Sequence, residues 1–109
     1  MMEQEIKELA ARVIREEFAR RGIEVKKLIL FGSHARGDAR QDSDWDFLAV
    51  TDRPVSWTEK REIWYALSLI LTERDVSADV LIKSEDEFLR DLSDRGKVTY
   101  YANKEGASA

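Results

Sequence analysis

Four apolar residues, Leu28-Ile29-Leu30-Phe31, run directly into Gly32-Ser33. The run is too short for a helix and is bounded by Lys27 and Gly32, so it reads as a buried strand that ends in a turn. A strand buried on both faces needs helices to cover it, and the flanking sequence supplies them. Ile6, Leu9, Ala10, Val13 and Phe18 recur at helical spacing before it, and Gly22 ends that helix. His34 to Gly37 leaves room for about one helical turn after it. Asp46 to Thr51 reads as a second strand, closed by Pro54. Ser56-Trp57-Thr58-Glu59 is a capping box that opens a helix to about Leu71. The middle of that helix, IWYALSLIL, is apolar nearly all round, which predicts deep burial or docking on a partner. Ala78 to Ile82 is a third strand. A second capping box, Ser84 to Glu87, opens a helix that Gly96 ends. Val98 to Tyr101 is expected to be a short extended segment. The expectation is an α/β chain in the order α-β-α-β-α-β-α, with one domain over residues 1–102 and a disordered tail over 103–109.

Length and composition narrow the function. A chain of 109 residues makes one domain with a modest core. The absence of cysteine excludes a disulfide framework and a zinc–thiolate site, and it fits a reducing cytoplasm. No apolar run approaches the roughly 20 residues that span a bilayer. The charged, helical-period N-terminus is not expected to be a signal peptide. A net charge of −4 argues against a duplex-DNA binder, which needs a basic face to displace counterions. It is compatible with nucleotides, because magnesium can bridge carboxylates to phosphates.

The Gly32-Ser33 turn suits a phosphate. A strand-to-helix turn presents free backbone N–H groups and the positive end of the helix dipole. Glycine allows close approach, Ser33 adds a hydroxyl, and Arg36 can lie on the same side of the turn with a planar fork. Taken alone, the pair is also what an ordinary serine-capped turn looks like. His34 is expected at the surface or behind the site rather than on a metal, since no second histidine exists to share one.

The carboxylates add chemistry. Asp44 and Asp46 flank Trp45 at the start of the second strand, where residues two apart face the same way. Two like charges there repel unless a cation is bound. All-oxygen ligation favours magnesium or manganese over zinc. Asp79 enters the apolar third strand, where a lone acid has a desolvation cost. If the second and third strands are neighbours, it completes a three-acid cluster able to hold two metals and to take a hydroxyl proton. Asp75 shares its parity and is a rival, but it lies in the charged approach Glu73-Arg74-Asp75. Asp38 and Asp42 read as turn residues.

Together these residues resemble a known signature. Gly32-Ser33, ten residues, then Asp44-x-Asp46 is similar to the signature of the minimal nucleotidyltransferases, a branch of the polymerase-β-like superfamily. The fuller form is Gly32-Ser33-x-Ala35-Arg36-Gly37, five residues, then Ser43-Asp44-x-Asp46, and Asp79 matches the family's third acid. The resemblance extends from the first helix to Gly96-Lys97-Val98. It implies a small mixed sheet of three or four strands flanked by helices. It implies Gly32, Ser33, Arg36 and Ser43 on the nucleotide phosphates, and Asp44, Asp46 and Asp79 as catalytic metal ligands for two magnesium ions, with manganese as an alternative. It also implies transfer of a nucleoside monophosphate, commonly AMP from ATP, onto a hydroxyl. Many members are antitoxins that modify a tyrosine on a HEPN-domain ribonuclease toxin. Relatives that modify antibiotics or tRNA carry extra domains, for which this chain has no room. Ile63 to Leu71 and the aromatics Trp57, Trp64, Tyr65, Tyr100 and Tyr101 are candidate contact surface, with exposure expected for some of Trp57, Tyr100 and Tyr101. Two other readings use the same residues: an inhibitor that acts by contact alone, and a nucleotide-binding subunit of a larger transferase.

Overall fold

The computed structural model describes residues 1–109. Strand β1 (Val25–Phe31) is longer than its apolar run, because Val25 extends it past a bulge at Lys26. It pairs antiparallel with β2 (Trp45–Thr51), with Ile29 opposite Leu48 and Phe31 opposite Asp46. Strand β3 (Ala78–Ser84) joins β2 in parallel, with Asp79 opposite Asp46 and Leu81 opposite Leu48. The last strand, β4 (Ala107–Ser108), pairs antiparallel with the other edge of β1. The result is a mixed four-stranded sheet in the order β3-β2-β1-β4, flanked by helices as expected.

Strand alternation sends successive residues to opposite faces. One face carries Leu28, Leu30, Phe47, Ala49, Val80 and Ile82. It packs against Ala10, Ile14 and Phe18 of α1 (Glu3–Arg20) and against Ile63, Leu67 and Leu71 of α3 (Trp57–Thr72). Helix α1 ends in a Schellman motif, with Ile23 N–H on the Phe18 carbonyl and Gly22 N–H on that of Ala19. The opposite face carries Ile29, Leu48 and Val50. These pack with Phe88 of α4 (Glu85–Asp91) and Ala102 of α5 (Val98–Glu105).

Three local expectations are corrected, and for α3 the structure excludes deep burial, one of its two alternatives. The Ser56 hydroxyl accepts from Glu59 N–H, but the Glu59 carboxylate turns to Arg53, so only half of that capping box forms. The box at Ser84 and Glu87 is complete. Helix α3 is buried on one side only, and Trp57, Tyr65 and Leu69 remain 65%, 69% and 54% exposed. Val98 to Tyr101 is helical, not extended. Its β-branched and aromatic composition favours strand, but Thr99 and Ala102 at i and i+3 are the positions that pack inward. The tail is ordered over 103–109: α5 runs to Glu105, Ala107 and Ser108 pair with Leu30 and Ile29, and Ala109 N–H donates to the Leu28 carbonyl. Those bonds use backbone groups alone, so no side-chain pattern announces them. Gly106 permits the pairing by lying flush against β1, where a Cβ would strike the Leu30 carbonyl and the Ile29 side chain.

Candidate active site

The site lies where β1 ends and β2 and β3 begin. Gly32 stops β1 at φ +76°, a conformation that costs glycine little and other residues much. A Cβ at Gly32 would collide with the Asp46 carboxylate, so the turn and the acid are in direct contact. From Gly32 the chain enters α2 (Ser33–Arg36), one turn closed by Ala35 and Arg36 N–H on the Gly32 carbonyl. The first amides of that turn have no helical partner. Arg36 is exposed and its Nε pairs with Asp38 at 3.3 Å, a surface contact of little strength that another anion can replace. The Ser43 hydroxyl accepts from Arg40 N–H at 2.9 Å and closes the loop before the acids, which leaves its own hydrogen to donate.

The register of β2 and β3 brings the acids together. Asp46 and Asp79 are direct neighbours across the parallel ladder, and Asp44, just before β2, is near enough for its charge to act on Asp46. The Asp46 carboxyl is held above the ordinary aspartate range. Burial is the largest cause, followed by the charges of Asp79 and Asp44, while His34 and Arg36 pull the other way. Asp44 is held by the Ser77 hydroxyl, which donates to it at 2.6 Å. The rival Asp75 stands outside the strand, in a turn after α3 at φ +58°.

An all-carboxylate donor set suits magnesium or manganese. The acids are close enough to shift Asp46 upward, yet no three His, Asp or Glu side chains stand as a closed chelate. Asp79 is exposed, Asp44 is exposed but tied to Ser77, and Asp46 is fixed against Gly32.

Two openings meet at Asp79. A cavity of about 420 Å³ runs from Asp46 and Asp79 under the start of α5, between Phe31, Leu81, Lys83 and Lys97. Lys83 is paired with Asp91 at 3.4 Å. A groove of about 490 Å³ follows the outer edge of β3 past Trp64, Leu67 and Val80. Trp64 Nε1 donates to the Val80 carbonyl and covers part of that edge. The lysines are not marked by any motif. Only Lys83 carries a readable signal, because it shares the strand parity of Asp79.

His34 does not lie at the surface. Its side chain is 7% exposed and stacks on Trp45 with ring centroids 3.8 Å apart. Of the expected aromatic surface, Trp57 and Tyr101 are exposed and Tyr100 is half-buried.

Comparison with known proteins matches residues 13–105 to the polymerase beta nucleotidyltransferase domain. A Methanocaldococcus jannaschii protein, provisionally named a protein adenylyltransferase, is 32% identical over 87 residues, covering 70% of this chain and 79% of that protein.

Proposed function

The chain belongs to the polymerase beta nucleotidyltransferase family, and from that premise we propose that it transfers AMP from ATP to a hydroxyl on a protein partner. The observation that carries this reading is the Asp46–Asp79 pair, set in register beside Gly32. The relative's name supports a protein as acceptor.

In this reading the amides of the Gly32-Ser33 turn, the Ser33 hydroxyl and the Arg36 guanidinium grip the triphosphate. Ser43 keeps the loop in place behind them. Asp44, Asp46 and Asp79 would hold magnesium, which when bound neutralises the triphosphate and the leaving pyrophosphate. The acceptor oxygen attacks the α-phosphorus, the bond to the α–β bridging oxygen breaks, and pyrophosphate leaves. The hydroxyl proton passes to the Asp79 carboxylate, the acid that faces both openings. No helix is long and apolar enough to cross a membrane.

The partner proposed is a HEPN-domain toxin, with a tyrosine as acceptor and this chain as the antitoxin. The outward face of α3, with Trp57, Tyr65 and Leu69, is the contact surface this proposal uses. Incubation with labelled ATP, magnesium and the neighbouring gene product should add the mass of one or more AMP units to the partner. No adduct with any nucleotide would sink transfer to that partner. Full neutralisation by the Asp44→Asn/Asp46→Asn variant would show that binding suffices.

A further inference from the structure

We infer that His34 is a positioning residue, which braces the carboxylate strand from behind by tying it to the Gly-Ser turn and to α1. The inference rests on the transferase reading for its consequence, but its geometry stands independently. His34 belongs to α2, directly after Ser33, while its ring lies flat on Trp45, the residue between Asp44 and Asp46, at an interplanar angle of 10°. Its Nε2 donates to the Ser43 carbonyl at 3.0 Å, because a carbonyl can only accept. Its Nδ1 faces Glu3 of α1 at 3.3 Å. The ring therefore contacts the backbone just before the first acid and the side chain between the two acids.

The brace continues across the sheet. Trp45 N–H donates to the Ser77 carbonyl at 2.9 Å, and the Ser77 hydroxyl holds Asp44. Turn, β2 and the approach to β3 are linked by these contacts. Each of those segments carries part of the proposed site. Trp45 points into the larger core and Asp46 to the opposite face, so His34 acts on the acids without touching substrate. Asp46 rests on Gly32 and Asp44 on Ser77, but each carboxylate starts from the backbone that carries it. Its direction is set by the backbone at Ser43 to Asp46, and that backbone is what His34 fastens.

The test uses three chains: wild type, His34→Ala, which loses the ring and its polar contacts, and His34→Phe, which keeps a ring for Trp45 and loses the bond to Ser43 and the contact with Glu3. Melting curves identify variants that fold as wild type does. Amide hydrogen exchange at Ser43 to Asp46 should quicken most in His34→Ala and less in His34→Phe. Manganese affinity should fall about tenfold in His34→Ala, with partial recovery in His34→Phe. In transfer assays kcat should fall more than KM for the acceptor changes. Wild-type exchange and manganese affinity in a folded His34→Ala protein would overturn the brace. If His34→Ala does not fold, the same two measurements on His34→Phe decide: no change in either overturns it. A wild-type chain that transfers no nucleotide would sink the transferase reading and leave the exchange result to decide the brace.

Discussion

The two faces of the sheet are built to different ends. Toward α1 and α3, 18 buried residues form one continuous core. Toward α4 and α5 only five do, and the last row of that face is Phe31, Asp46 and Asp79. Strand alternation is what allows the division. Trp45 and Phe47 are buried on the thick side, while Asp46 between them emerges on the thin side. The thick face holds the backbone still, and the thin face can then carry charges that a full core would not tolerate.

Activity and stability should separate between the two faces. Asp44→Asn with Asp46→Asn should reduce nucleotide transfer to below detection while circular dichroism and melting show an intact fold. A variant that unfolds would mean that the thin face also holds the protein together. Next in size is the thick face. Phe18→Ala removes a fully buried ring and should cost about 3–5 kcal/mol in urea unfolding. Phe88→Ala on the thin face, where the ring is 7% exposed and has fewer buried neighbours, should cost less. An equal loss would contradict the asymmetry.

A smaller effect belongs to the cap of α4. Ser84→Ala should cost about 1 kcal/mol in the same unfolding assay. Glu87, the other half of that box, has its pKa lowered mainly by the Ser84 backbone N–H. A lowered carboxyl pKa stabilises the fold above the ordinary glutamate value, and that support is lost as pH falls through the lowered one. The penalty of Glu87→Gln, which removes that carboxylate, should therefore shrink in acid.

The smallest effect is at Asp46 and has the opposite sign. Its pKa is raised, so its favourable contribution is complete below the ordinary aspartate value and is lost as pH rises through the raised one. At neutral pH the charged Asp46 weakens the metal-free fold. Asp46→Asn should then melt a few degrees higher than wild type near neutral pH, with the gap closing on acidification. A lower melting point at neutral pH would show that Asp46 stabilises the fold it sits in.

Much of this was readable along the chain. The apolar runs at Leu28 to Phe31 and at Phe47 to Val50 and the caps at Ser56 and Ser84 are local patterns, and each produced the element expected of it. Gly32 and Asp46 were legible as residue types in a spacing. Their contact was not, because it depends on β1 and β2 pairing with Phe31 opposite Asp46. Asp79 was separated from Asp75 only by its apolar neighbours, and the parallel register then placed it beside Asp46.

Other features had no local signal at all. Ser77 holds Asp44 from 33 positions away, and His34 stacks on a tryptophan 11 positions on. Strand β4 is made by Ala107 and Ser108 through backbone bonds to the free edge of β1. Helix α5 overrides a strand-like composition because two of its residues fit the thin face. Periodicity and side-chain type mark most of the regular segments and the residues able to do phosphoryl chemistry, but neither β4 nor the helical state of Val98–Glu105. Which side of the sheet the acids share, and what braces them, follow from contacts across the fold, because those depend on the register of strands distant in sequence.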